Sequence, residues 1–138
     1  MSSVALFVAL SAPLIGGLLA GRERSALRAG RVAVLGCALA VASAAWLLVA
    51  AALDGDEPVA VVAALDLRID RVSSMLLLVV LATAAMVASF SRRSLDADGR
   101  AGRYFALLGV VVSGSALVVV PGAGWLLVVG WIASGWAL

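Results

Sequence analysis

The stretch that decides the fold is residues 32–53, VAVLGCALAVASAAWLLVAAAL, which contains no charged side chain. As a helix these 22 residues are about 33 Å long, enough to cross the roughly 30 Å hydrocarbon core of a bilayer. The whole chain is 64% hydrophobic and only 13% charged, whereas soluble domains are closer to one half and one quarter. We therefore predict an all-α integral membrane protein.

Four further apolar runs flank this stretch, and we predict that each forms a helix in the membrane. The first run has no basic residue before it, as a secretory signal would, so we expect a retained first helix. Together the runs make a single membrane domain of four transmembrane helices and an incomplete fifth. The predicted spans are residues 4–20, 32–53, 72–90, 104–120 and 125–138.

The last run, Trp125 to Leu138, is too short to cross a bilayer. Its 14 residues make a helix of about 21 Å, against a hydrocarbon core of about 30 Å. We expect this run to be the first part of a fifth helix whose remainder belongs to a longer polypeptide.

Small residues recur every four positions in the second helix, at Gly36, Ala40 and Ala44. In a helix this spacing places them on one face, where a neighbouring helix can approach closely. We therefore expect a helix contact along this face. The only cysteine, Cys37, lies in the same apolar run and is expected to be a buried structural thiol.

The ten basic residues are all arginine, and eight of them fall in two segments, residues 22–31 and 92–103. We predict that both segments are short loops. The segment between them, residues 54–71, carries five carboxylates and two arginines. By the positive-inside rule the arginine-rich loops face the cytoplasm, which puts the amino terminus outside a cytoplasmic (inner) membrane that the chain crosses several times. Orientation in the bilayer explains the arginines better than binding to nucleic acid.

The segment between the second and third helices contains two patterns. Residues 54–58, DGDEP, form an acidic turn that is either a solvated surface loop or, as a less favoured alternative, a cation site. From Val59 to Asp70 the chain is partly β-branched and ends in alternating apolar and charged residues, which predicts a short β-hairpin-like loop on the outer surface.

No apolar run contains an ionisable residue of the kind that marks an ion path through a membrane. The sequence also has no phosphate-binding loop, no metal-ligand spacing and no nucleophile–base pair. We therefore predict no catalytic residue, no cofactor site and no metal site, and a chain that is not an enzyme.

Several stretches, in order, resemble the beginning of the antiporter-like membrane subunits. This superfamily includes subunit L of NADH:quinone oxidoreductase (complex I), the large A subunit of Mrp-type sodium/proton antiporters and the membrane partner of the Dab-type inorganic-carbon uptake system. The matching aspartate, glycine and tryptophan are Asp70, Gly130 and Trp131. The resembling stretches are residues 13–17 (PLIGG), 67–77 (LRIDRVSSMLL), 90–95 (FSRRSL), 103–105 (RYF) and 126–132 (LLVVGWI).

One position departs from the pumping members of that family. After the Gly-Trp pair they carry a membrane-embedded glutamate that partners a later lysine, whereas this chain has Ile132 and no lysine. Residues 131–138, WIASGWAL, and the pair Arg92-Arg93 are more similar to the Dab-type branch. Ile132 therefore occupies the family's ion-path position without the group that carries a proton.

The resemblance implies that this chain forms the amino-terminal scaffold helices and the start of the first repeat. In full-length members, two inverted repeats with broken helices carry the ion-conducting residues. The chain alone would then translocate no ions, and its partners would be the lipid bilayer and other membrane subunits or the remainder of the same polypeptide. The alternative hypothesis is a self-contained small membrane protein that acts as an accessory or assembly factor through helix packing.

Overall fold

The computed structural model describes residues 2–53, 60–62, 67–95, 100–120 and 124–136. The described residues are predominantly helical, as predicted, and four of the helices are long and apolar enough to cross a membrane. A fifth, shorter apolar helix follows. The elements in chain order are α1 (Ser2–Arg22), α2 (Ala26–Leu53), β1 (Ala60–Val62), β2 (Leu67–Ile69), α3 (Arg71–Ser94), α4 (Ala101–Val119) and α5 (Gly124–Trp136).

The prediction that both arginine-rich segments are loops is wrong for most of their residues. Arg22 ends α1, Arg28 and Arg31 lie in the first turns of α2, and Arg92 and Arg93 lie in the last turn of α3. Arginine is a good helix former, and its long stem covers apolar surface while its charge stays in water. The helices therefore continue past their apolar runs into the charged segments.

The segment between α2 and α3 contains two strands of three residues each. β1 and β2 pair antiparallel, with Ala60 opposite Ile69, Val61 opposite Arg68 and Val62 opposite Leu67. The acidic turn predicted at residues 54–58 lies outside the described residues, as do Asp66, residues 96–99 and the proline-containing segment 121–123.

Helix α1 packs against α2 and against α4. Helix α3 packs mainly on α2 and also contacts α4, which closes a four-helix bundle, while α5 packs on the outside of α4. The main core contains Leu6, Leu47, Leu77, Leu81 and Val112, contributed by all four long helices. A second, smaller cluster forms around the fully buried Phe105.

Two adjacent glycines let α1 contact both neighbours at close range. A Cβ atom built on Gly16 would lie 3.1 Å from Gly36 Cα of α2. A Cβ atom built on Gly17 would lie 2.9 Å from Gly109 Cα of α4. Because successive helical residues point about 100° apart, one Gly-Gly pair serves two different helices.

The small-residue face predicted on α2 is confirmed. Ala40 and Ala44 are fully buried, and a Cβ atom on Gly36 would lie 2.8 Å from the Ala12 carbonyl oxygen of α1. Cys37, next to this face, is a free and buried thiol, as expected. Small residues therefore set the distance between α1 and α2, as they do in other membrane helix pairs.

Candidate functional site

The Gly-Trp-Ile sequence of α5 has its glycine at a tight contact with α4. A Cβ atom on Gly130 would lie 2.6 Å from the Gly114 carbonyl oxygen, and one on Gly114 would lie 2.8 Å from the Gly130 carbonyl oxygen. Ser134 of α5 lies beside this contact, because a Cβ atom on Gly114 would lie 3.1 Å from its backbone nitrogen, and its hydroxyl donates within α5 to the carbonyl oxygen of Gly130 at 2.9 Å. Gly130 thus holds α5 directly against α4.

The next two residues point away from this contact. Trp131 is 73% exposed and Ile132 is 51% exposed. Both belong to an apolar face of α5 that no described residue covers. The other exposed large side chains of this face are Trp125, Leu127, Val128, Val129 and Trp136. Ile132 therefore faces outward from the described helices.

Asp70 has a different role, as the cap of α3. Its carboxylate accepts a hydrogen bond of 2.7 Å from the backbone N–H of Ser73, and its carbonyl oxygen accepts one of 2.7 Å from the Ser74 hydroxyl. An aspartate at this position satisfies a helix N–H that has no partner within the helix. The Ser73 hydrogen bond holds the pKa of Asp70 below its ordinary value, because it stabilises the charged form.

The predicted site residues do not form one site. Asp70 begins α3, whereas Gly130, Trp131 and Ile132 lie on α5, which packs on α4. Asp70 caps a helix, and Gly130 makes a contact between two helices. The sequence resemblance alone did not distinguish these tasks from a role in ion transport.

The arginine-rich segments meet at one end of the bundle. The stem of Arg92 lies over Gly30 of α2, where an added Cβ would collide with Arg92 Cγ. A Cβ on Gly102 would lie 3.4 Å from the carbonyl oxygen of Glu23. These contacts bring both segments together, so eight arginines share this end with one described carboxylate, that of Glu23.

A hydrogen bond at the same end was not predicted from the sequence. The hydroxyls of Ser91 on α3 and Tyr104 on α4 share a hydrogen bond of 2.8 Å. Ser91 follows the apolar run of α3, and Tyr104 precedes the apolar run of α4. At such positions a serine or a tyrosine normally indicates only the membrane interface. No spacing rule links residues on two different helices, so only the folded arrangement identifies the pair.

An open groove between α2 and α3 was also missed. Its volume is about 890 Å³, and it runs along the outer surface of the bundle toward the arginine-rich end. Small side chains from the two helices face each other across it, and two arginines close it at one end. The groove is lined by Val34, Ala38, Val41, Ala42, Ala82, Ala85, Met86, Ser89, Phe90, Arg92 and Arg93.

One buried hydroxyl in the described part of the chain has no hydrogen-bond partner, that of Ser113 in the middle of α4. Other helical hydroxyls bond back to the carbonyl four residues earlier, as Ser11 does to Phe7 at 2.6 Å and Thr83 does to Val79 at 2.8 Å. This second group agrees with the ordinary behaviour of serine and threonine in membrane helices.

No protein-family model matches this chain, and no curated protein is significantly similar to it.

Proposed function

We propose that this chain is the amino-terminal scaffold part of a proton- or cation-translocating antiporter-like membrane subunit, of the kind found in NADH:quinone oxidoreductase subunit L and in Dab-type inorganic-carbon uptake. The observation that supports this most is where the family-like stretches fall in the fold. The glycines of residues 13–17 join α1 to its two neighbours, Asp70 caps α3, and Gly130 holds α5 on α4. The resembling residues thus lie at contacts between helices and at a helix end, as expected of a scaffold.

In this proposal the exposed face of α5 is where the scaffold meets other membrane helices. Ile132 and Trp131 lie on that face, opposite the contact that Gly130 makes with α4. A helix of a partner subunit, or of a further part of the same polypeptide, would cover this face. Ion-carrying residues would be supplied from that side, because the apolar runs of this chain contain none.

The proposal also includes an orientation. Eight arginines lie at one end of the bundle and face the cytoplasm, whereas Asp70 and the start of α1 face the outside of a cytoplasmic membrane. The chain is a non-catalytic subunit in this view and binds no nucleic acid.

Ion flux in vesicles tests the proposal. The purified chain in vesicles loaded with a pH-sensitive dye should give no more proton flux than protein-free vesicles. Membrane vesicles from cells that lack the chain should lose a proton- or sodium-driven flux, and expression of the chain should restore it. Flux from the chain alone, or unchanged flux in its absence, would contradict the scaffold role.

A photoreactive residue at position 132 tests the contact. It should cross-link to a membrane protein that carries lysine, glutamate or histidine in its apolar segments, whereas the same probe at Leu35, which is also exposed, should react with lipid. Cross-linking of both positions to lipid alone would leave α5 without the proposed partner and would refute this part of the proposal.

A second candidate, a self-contained accessory or assembly protein, is favoured by one observation. Helices α1 to α4 form a closed bundle with its own core, so the chain has the packing of an independent unit. The two functions differ in stoichiometry. A scaffold subunit stays in the finished complex in equal amount with its partners, whereas an assembly factor is absent from it.

A further inference from the structure

The groove between α2 and α3 has an apolar lining with two arginines at one end. This combination indicates a ligand with an apolar body and a polar, negatively charged end. From Ala82 to Arg93 the groove extends over 12 residues of helix, whose ends are about 16 Å apart. This length is roughly half of the ~30 Å hydrocarbon core, the depth of a single leaflet. A molecule that fills it would be apolar over the depth of one leaflet and polar at the membrane surface.

Alanines from both helices line much of the groove. Ala38 and Ala42 of α2 face Ala82 and Ala85 of α3. Met86, which is 73% exposed, also lines the groove. Alanines leave room for a chain of methylene groups to lie between the helices, and methionine is flexible enough to adapt to it.

Arg92 is held at the mouth of the groove by the fold. Gly30 of α2 has no side chain, so the stem of Arg92 crosses from α3 onto α2 and lies against the Gly30 backbone. The side chain of Arg92 thus spans both helices where it lines the groove. Arg93, which is exposed, lies next to it and also lines the groove.

The two guanidinium groups carry charge that suits a phosphodiester. Within the described residues neither Arg92 nor Arg93 forms an ion pair or a hydrogen bond. Arginine binds phosphate oxygens through two parallel N–H donors, and basic pockets between membrane helices bind anionic head groups. Two arginines next to each other favour a lipid with a net negative charge over a zwitterionic one.

We propose that the α2–α3 groove binds one anionic phospholipid, with an acyl chain between Ala38 and Ala85 and the head-group phosphate on Arg92 and Arg93. This proposal does not depend on the proposed scaffold function, because it rests only on the groove and its arginines. The bound lipid fills the gap between α2 and α3 and fixes their arginine-rich ends relative to each other.

The experiment uses the full chain in nanodiscs that contain phosphatidylglycerol and phosphatidylcholine in equal amounts. After release into mild detergent, native mass spectrometry counts the lipids that remain bound. The expected result is one retained phosphatidylglycerol and little phosphatidylcholine. The double substitution Arg92→Gln and Arg93→Gln should lower retention roughly ten-fold or more, since each arginine near the surface contributes a factor of about five.

Two matched controls distinguish binding in the groove from attraction by any positive charge and from the effect of any bulky substitution on the surface. Arg22→Gln with Arg24→Gln removes the same charge from the same end at two residues that do not line the groove, and should leave retention unchanged. Ala38→Trp fills the groove while keeping both arginines and should displace the lipid, whereas Leu39→Trp, one residue along on the lipid-facing surface, should not.

Three results would overturn the proposal. The first is equal retention of the two lipids, and the second is an equal loss from both arginine pairs, which would mean a diffuse electrostatic attraction. The third is a groove covered by protein, detected as a disulfide-linked dimer or partner adduct through Ser89→Cys in a Cys37→Ala background. Circular dichroism of each variant establishes that it is folded, and the Leu39→Trp and Ala38→Trp pair gives an answer even if the arginine variants are unstable.

Discussion

The contact between α1 and α4 leads to the sharpest prediction, because its atoms are all backbone. A Cβ atom on Gly109 would lie 2.5 Å from the carbonyl oxygen of Pro13 and 3.0 Å from Gly17 Cα, where ordinary contacts begin at 3.4 Å. On Gly17 it would lie 2.7 Å from the carbonyl oxygen of Phe105. No rotamer change relieves such contacts, so Gly109→Ala or Gly17→Ala must push the helices apart.

The size of the effect follows from two opposing terms. Overpacking of a well-packed contact costs about 1–3 kcal/mol, and a radial gap of 0.5–1 Å forfeits roughly a quarter to a half of the dispersion energy of the atoms it separates. Alanine recovers up to about 1 kcal/mol through its better helix propensity. Gly135 provides the control, because a Cβ atom there meets nothing within 4 Å. The difference between Gly109→Ala and Gly135→Ala therefore isolates the overpacking term of about 1–3 kcal/mol.

The assay is unfolding by sodium dodecyl sulfate in mixed micelles, followed by tryptophan fluorescence. Gly109→Ala and Gly17→Ala should unfold at a lower detergent fraction than the wild type, and Gly135→Ala at the same or a higher one. The double variant of Gly17 and Gly109 should cost less than the sum of the single ones, since the first substitution already separates the helices. If Gly109→Ala matched Gly135→Ala, the close approach of α1 and α4 would be refuted.

Three further predictions concern the ends of the helices. Asp70→Ala should destabilise the protein by about 0.5–2 kcal/mol through loss of the α3 cap. Because the folded pKa of Asp70 is lowered, its contribution is fully present above about pH 4 and is lost as the pH falls through the folded pKa, so Asp70→Asn should flatten the acid side of a stability–pH curve. Tyr104→Phe should cost about 0.5–1.5 kcal/mol in the same unfolding assay, because it leaves the Ser91 hydroxyl without its partner on α4, and an unchanged midpoint would contradict that hydrogen bond. In a Cys37→Ala background, a cysteine at Ser3 should react with an impermeant thiol reagent in intact cells and one at Arg24 only after lysis; the reverse pattern would invert the proposed orientation.

The sequence predicted the helices well because their cause is local. Each apolar run is long and uncharged, and a backbone in lipid must satisfy its hydrogen bonds within the segment, so a helix follows from composition alone. The close face of α2 at Gly36, Ala40 and Ala44 could be read in the same way, from spacing within one helix. The ends of the helices could not be predicted in this way, because arginine is compatible with both a loop and a helical turn at the membrane surface.

The features missed from the sequence all depend on two helices at once. The groove requires Ala38 and Ala42 to face Ala82 and Ala85, and that pairing is set by how α2 and α3 are rotated against each other. Alanine is so frequent in this chain that its positions carry little information by themselves. The need for a glycine at position 30 could not be predicted either, because the side chain that requires it, the stem of Arg92, is 62 positions away in the sequence.

The Gly-Trp-Ile sequence of α5 shows why a resemblance needs the structure to be interpreted. Gly130 is the residue that positions the helix, and its neighbours are the residues that α5 presents to whatever lies beyond it. Because a helix turns by about 100° per residue, docking through Gly130 necessarily turns Trp131 and Ile132 away from the glycine contact with α4. A carboxylate at position 132 would thus point away from the described helices and not into this bundle. The isoleucine found there makes that face uniformly apolar, which suits packing against another membrane helix and supplies no proton carrier of its own.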